Sequence, residues 1–235
     1  MLSIIPTPIG NREDITLRAL RLLAEIDVIF SEDPQTTKKL LNMYEIPYHS
    51  KKFYTFNSFV TDRQFAMYVN LMKEQHVGMV SEAGTPGLSD PAKELIKHCW
   101  LEQIRFEILP GANALVPAVV SSNRDTTQFA FWGFLPKKKG KQTALKTIID
   151  SDYPIYVYES VHRVVKTLEE LLALGFTGKV MVCRELTKLH EQYACGSISQ
   201  ILEKVAKGEV PLKGEFVLGF DAGAAPTPHG LENTL

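Results

Sequence analysis

The sequence predicts an α/β fold made of two α/β domains, and three observations lead there. Short apolar runs recur along the whole chain, a turn rich in Gly, Pro or acids follows each run, and a segment of helical periodicity comes next. Alternation of this kind builds a largely parallel sheet with helices on its faces. Leu2-Ser3-Ile4-Ile5 reads as the first strand, and Thr16 to Ile26 as a helix that sets Leu17, Leu20, Leu23 and Ile26 at helical spacing behind Asp14 as its cap. Val28-Ile29-Phe30 is a second strand, leading through Ser31-Glu32-Asp33-Pro34 to a helix around Thr36 to Tyr44. Val77 to Val80 leads through SEAGTPGLSDP to a helix from Asp90 to about Cys99, and Ile108-Leu109 through Pro110-Gly111 to the segment Ala112 to Ser121.

The polar run Ser121-Ser122-Asn123-Arg124-Asp125 interrupts this pattern and marks a domain boundary, giving a first domain over 1–122. The second, over 123–221, has room for antiparallel strands. It reads as a strand at Phe129 to Trp132, the basic loop Lys137 to Lys141, a helix near Gln142 to Ile149 and a strand at Ile155 to Tyr158. An amphipathic helix with Val164, Leu168, Leu171 and Leu172 on one side follows, then a strand at Val180 to Cys183, a helix from Ser197 to Val205 and a last strand at Phe216 to Phe220. Residues 222–235, rich in Pro and Gly, read as a flexible tail.

Composition removes several function classes. With 235 residues, 45% hydrophobic and 23% charged, the chain is long enough for real cores, and its net charge of -1 offers no global basic field for nucleic acid. Three cysteines without CxxC spacing and six histidines without HxxxH or HExxH argue against disulfide frameworks and metal sites. No apolar run approaches the roughly 20 residues of a membrane span, and the first apolar run is too short for a signal peptide. The expectation is a cytoplasmic protein without membrane contact. Neither GxGxxG nor GK[ST] occurs, which removes the dinucleotide fingerprint and the P-loop.

In parallel sheets ligands sit beyond the carboxyl ends of the strands, where these loops lie. Within SEAGTPGLSDP, Thr85-Pro86-Gly87-Leu88 fits a type II turn, with Ser89 or Asp90 capping the next helix and Pro91 at its first position. A tight turn with an ordinary helix start would account for that segment alone. Together with Thr7 to Asn11, Ser31 to Asp33 and Pro110 to Ala114, however, it surrounds a space lined by small residues and carboxylates. Such a space suits a ligand with hydroxyls and a positive centre rather than a phosphate. S-adenosylmethionine is a ligand of that kind.

The motifs TPIGNREDITLRALR, SED with TTKKLL, SEAGTPGLSDP, PGANA, GFLP, YESVHR, RELTKLHE and KGE, in that order from about Ser3 to Phe220, resemble the bacterial small-subunit ribosomal RNA ribose 2′-O-methyltransferase family. That family is a branch of the tetrapyrrole methylase superfamily. The resemblance implies two α/β domains, commonly in a homodimer, with S-adenosylmethionine bound in the cleft between domains and no metal. Carried over by position, it implies cofactor contacts from Pro8, Ile9 and Gly10, from Ala83, Gly84, Thr85 and Leu88, and from Asn113 and Ala114. From the second domain it implies Tyr158, Glu159, Glu185, Leu186, Gly214 and Glu215.

A ribose hydroxyl is a poor nucleophile, so a base is expected near the methyl acceptor. Glu32, Asp33 and Glu82 are the candidate acids; Lys188 would serve if burial lowered its pKa, and Arg163 would hold a substrate phosphate. The bland readings are a surface ion pair for Glu185 and Lys188 and a helix-associated Arg163. The basic run Lys137 to Lys141, with Lys38-Lys39 and Lys51-Lys52, is the feature suited to a phosphate backbone. The chain departs from the family pattern at Glu82, Asn113, Val161, Pro34-Gln35-Thr36 and Tyr54 to Ser58. The alternatives are a methyltransferase of a tetrapyrrole or other small molecule, and a cofactor-binding module without catalysis.

Overall fold

The computed structural model describes residues 1–122 and 126–223. Asn123 to Asp125 of the expected boundary run and residues 224–235 of the expected tail lie outside the described residues. The chain divides into two compact units, Met1–Ala114 and Leu115–Leu235. The division falls before Leu115 rather than after Ser122, because the helix α5 (Leu115–Val120) packs on strands of the second unit.

In the first unit the strands β1 (Leu2–Ile4), β2 (Val28–Ser31), β3 (Lys52–Thr55), β4 (Val77–Val80) and β5 (Phe106–Ile108) form one sheet in the order β3-β2-β4-β1-β5, with every pairing parallel. The strands β1, β2 and β4 are buried on both faces and, apart from Ser3 and Ser31, carry no polar side chain, as a sheet covered on both sides requires. Ile5, Ile29 and Val80 pack against α1 (Leu17–Glu25) and α2 (Pro34–Met43). Leu2, Ile4, Val28, Phe30 and Met79 pack against α3 (Asp62–Glu74) and α4 (Ala92–Leu101). Ser3, fully buried on β1, donates to Glu107 (2.7 Å) and shares a second hydrogen bond with His76 Nε2 (2.7 Å), so this polar group inside the sheet is satisfied.

The cap of α1 differs from expectation. Thr16, not Asp14, caps α1 by accepting from the Ala19 N–H at 3.1 Å, while Asp14 closes a short 3-10 turn at Arg12–Asp14. The edge strand β3 and the helix α3 were not among the expected elements. The strand opens with Lys52 and its two ends are exposed, so it lacks the buried apolar run that marks its neighbours.

The second unit carries β6 (Ala130–Phe134), β7 (Ile155–Ser160), β8 (Lys179–Arg184), β9 (Gln192–Gly196) and β10 (Glu215–Asp221) in the order β6-β7-β10-β8-β9. Only β6 and β7 run parallel, and the remaining pairs are antiparallel. Ile155, Val157, Val180, Val182, Leu218 and Phe220 point to one face, where α6 (Lys141–Ile149), α7 (Val164–Ala173) and α8 (Ile198–Ala206) cover them. Tyr156 and Tyr158 alternate to the other face, on which α5 lies. Ser197 and Gln200 form a reciprocal capping box at the start of α8.

Candidate active site

All five strands of the first sheet are parallel, so their carboxyl ends emerge at one edge, and the loops after β1, β4 and β5 interlock there. Thr7 and Gly84 exchange backbone hydrogen bonds at 2.9 and 3.0 Å. Thr85 donates its hydroxyl to the Ala112 carbonyl at 3.0 Å, and Ser81 donates to the Ala83 carbonyl at 3.2 Å. Gly84 sits at φ +81°, and a Cβ there would come within 3.2 Å of the Ile9 side chain and 3.9 Å of Asn113 Cα. Ile9, Gly84, Thr85 and Asn113 are therefore brought together. The Leu88 N–H donates to the Thr85 carbonyl at 3.3 Å with Gly87 at φ +92°, which is the expected type II turn. Pro8 and Leu88 are half-buried and Gly10 and Ala83 exposed on these loops, while Ala114 closes the unit.

The acids after β2 and β4 converge. Burial first, then the charges of Asp90 and Glu82, push the Glu32 carboxyl above its ordinary value, although it accepts the Glu82 backbone N–H. Burial likewise raises Asp90, whose Oδ1 accepts from the Gly87 and Ala92 N–H groups at 2.8 Å each. Asp33 stands apart. It caps α2, accepting from the Thr36 hydroxyl (2.8 Å) and from the amides of Gln35 (2.8 Å) and Thr36 (3.3 Å), and these bonds, the hydroxyl foremost, hold its carboxyl low. Both of its oxygens serve the helix start, a poor arrangement for a base.

In the second unit the expected residues fall into three groups. Tyr158 packs edge-on against Phe131 and Phe134, and burial pushes its phenol up to about 12 while it accepts the Leu115 N–H. Glu159 has a fully buried side chain that accepts from the Ser160 amide (2.8 Å) and the Thr167 hydroxyl (2.9 Å) and pairs with Arg163 at 2.7 Å. Arg163 also donates to the Leu135 carbonyl at 3.0 Å, so both terminal nitrogens of its guanidinium are engaged within the unit rather than presented to a phosphate. Removing Arg163 alone would strand a buried carboxylate, at a cost of about 3–5 kcal/mol.

The third group is the loop after β8. Lys188 Nζ bonds Glu185 (2.9 Å) and Glu215 (3.0 Å), and Glu185 also accepts the Glu215 N–H at 2.9 Å. Burial pulls the Lys188 ammonium down, but the two carboxylates outweigh it and leave the pKa raised, the reverse of what a neutral amine base requires. Gly214 belongs to the same contact: at φ +86°, any Cβ would lie 2.3 Å from the Glu185 carboxyl. Leu186 is buried beside it.

The basic run also divides. Lys137, Lys138 and Lys139 are exposed, whereas Lys141 begins α6 and is buried in an ion pair with Glu170 at 2.6 Å. Lys51 is likewise buried, donating to the Ala24 and Ile26 carbonyls at 2.7 and 2.8 Å, and Lys38 lies 5.2 Å over the Phe53 ring. Among the described residues no cluster of His, Cys, Asp and Glu is arranged to hold a metal, and no helix is long and apolar enough to cross a membrane.

Solved structures share this fold. Uroporphyrin-III C-methyltransferase from Thermus thermophilus, complexed with S-adenosyl homocysteine, matches with a TM-score of 0.62 at 17% identity over 94% of this chain and 97% of its own. A cobalt precorrin-4 methyltransferase of cobalamin biosynthesis matches with a TM-score of 0.66 at 17% identity, over 94% and 95%. At that identity the likeness shows the fold alone, which is that of the tetrapyrrole methylases.

The description of the tetrapyrrole (corrin/porphyrin) methylases matches residues 1–202. The ribosomal RNA small subunit methyltransferase I of Thermotoga maritima is 39% identical over 207 residues, covering 88% of this chain and 92% of its own. Its namesake in Hydrogenobaculum sp. is 38% identical over 225 residues, covering 92% and 94%. The chain belongs to the tetrapyrrole methylase family and is an S-adenosylmethionine-dependent methyltransferase.

The donor set of the first sheet's edge fits that cofactor. Glu32 and Glu82 stand there, and the repulsion between these two carboxylates favours a neighbouring cation such as a sulfonium or ammonium. Ile9 and Leu88 supply apolar surface on the same loops, and the hydroxyl of the buried Ser31, next to Glu32, has no partner among the described residues.

Proposed function

We propose that this protein methylates a ribose 2′-hydroxyl in small-subunit ribosomal RNA. The observation that supports RNA as the acceptor is the 39% identity, over 88% of the chain, to a relative named for that subunit's RNA, and the ribose hydroxyl follows from the family that the motifs resemble. When bound, S-adenosylmethionine supplies a methyl carbon made electrophilic by its sulfonium. Pro8, Ile9, Gly10, Ala83, Gly84, Thr85, Leu88, Asn113 and Ala114 hold it in this reading.

The chain's own part is to orient the acceptor, exclude water and take one proton. Glu32 is the base of choice: it is half-buried, has no cation paired to it among the described residues, and its carboxyl binds a proton more tightly than an ordinary one. Glu82 supports it by donating its backbone N–H. Lys137, Lys138 and Lys139 track the RNA backbone from the second unit. A cytoplasmic location and a homodimer belong to the same reading.

The test incubates purified full-length protein with radiolabelled S-adenosylmethionine and, separately, with small ribosomal subunits, naked ribosomal RNA and a uroporphyrinogen. Label in RNA that survives alkaline hydrolysis as a dinucleotide is expected, since a 2′-O-methyl group blocks cleavage at that ribose. Label in the tetrapyrrole alone would refute the reading.

A further inference from the structure

The segment SEAGTPGLSDP holds more backbone tension than a turn needs. Gly87 is at φ +92°, as the type II turn requires, but Ser89, two residues on, is also left-handed at φ +82°. A residue with a Cβ adopts that conformation only where its surroundings impose it. The imposing group is Asp90. One of its oxygens receives both the Gly87 N–H, from inside the turn, and the Ala92 N–H, from the first residue of α4, at 2.8 Å each. No side chain of Pro91 or Ser89 caps that helix, so Asp90 is both its cap and the tie between helix and turn.

We propose that Asp90 is a positioning residue for methyl transfer, whose carboxylate clamps the Thr85–Leu88 turn to the start of α4 and thereby fixes the Gly84–Leu88 wall. This rests on the reading that the wall receives S-adenosylmethionine. Asp90 lies behind the wall and acts through Gly87 and Ser89. Its two bonds need an acceptor oxygen, and they do not need a charge. Asparagine retains that oxygen and alanine loses it.

The experiment compares Asp90→Ala, Asp90→Asn and Gly84→Val in the full-length protein. It reads the dissociation constant for S-adenosylmethionine by calorimetry and the exchange rates of the Gly87 and Ala92 amides by nuclear magnetic resonance. Asp90→Ala is expected to weaken binding at least tenfold and to speed exchange at both amides by a similar factor. Asp90→Asn is expected to stay within threefold of the parent in both. Should Asp90→Ala not fold, Asp90→Ser, whose hydroxyl reaches one amide at most, is expected to fall between the two.

The clamp is overturned if Asp90→Ala, or Asp90→Ser in its place, binds within twofold of the parent while Gly84→Val abolishes binding. It is overturned equally if Asp90→Asn weakens binding as much as alanine does, since charge and not geometry would then be at work. If Gly84→Val also binds normally, the placement of the cofactor wall fails along with the clamp.

Discussion

A carboxyl group that takes a proton from a hydroxyl must bind that proton more tightly than an exposed carboxylate does, and Glu32 is the candidate that does so. Burial and the charges of Asp90 and Glu82 all act in that direction. Glu32→Gln should lower kcat by on the order of 10²–10⁴ while leaving the dissociation constant of S-adenosylmethionine within threefold. An unchanged kcat would remove Glu32 from the reaction. The pH dependence follows with a definite sign: the base works deprotonated, so a raised pKa places the acid limb of kcat/KM above the ordinary carboxylate range. Asp90→Asn removes one of the raising charges and should move that limb to lower pH.

Glu32, Asp33 and Glu82 are legible in the sequence because each follows a strand of a parallel sheet. Sequence alone does not rank them, because rank depends on partners from other loops. Asp33 is adjacent to Glu32 in sequence and opposite in character, held low by a hydroxyl and two amides of its own helix. Arg163 and Lys188 looked available in one dimension, yet Glu159 and the pair Glu185 and Glu215 occupy them. Asp90 was legible only as a helix cap, and the Gly87 amide that makes it a clamp shows in coordinates alone.

At the scale of elements, strands with an apolar run are legible, the edge strands β5 and β6 among them, whereas β3, β9 and the helix α3 are not. The strands β1, β2 and β4 are buried throughout and apolar but for Ser3 and Ser31, because helices cover both faces. The strands β3 and β9 lie at sheet edges, where one side of the backbone has no strand partner and polar residues are tolerated, so Lys52 to Thr55 and Gln192 to Gly196 carry no such run. Hydroxyl caps are unevenly legible: the expected start of α8 falls on Ser197, whereas Thr16 before α1 is passed over for Asp14 and α3, capped by Thr61, is not expected at all. Ser197 before α8 is the clearest, and its bond to the Gln200 N–H is half of a capping box. Ser197→Ala should destabilise the protein by about 1 kcal/mol, read from denaturant midpoints at constant slope, with Ser197→Asp or Ser197→Thr recovering most of it. An alanine variant as stable as the parent would show that packing of Ile198 and Ile201 alone fixes this helix start.

For the whole molecule, the topology explains why one edge of the first sheet carries so many of the candidate residues. Five parallel strands in one sheet deliver five loops to the same edge, so residues as distant in sequence as Ile9, Glu32, Gly84 and Asn113 become neighbours or near-neighbours there. The second sheet is mostly antiparallel, its loops alternate between edges, and its candidate residues accordingly separate into the Tyr158, Glu159 and Glu185 groups. The fold belongs to a family whose members methylate different acceptors, and fold alone does not choose among them. The choice of a ribose in small-subunit ribosomal RNA is the central claim, and mass-spectrometric mapping of that RNA from cells with and without this protein tests it most directly. Loss of one ribose methylation on deletion, restored by the wild-type chain and not by Glu32→Gln, is the predicted result; an unchanged ribose methylation map would contradict it.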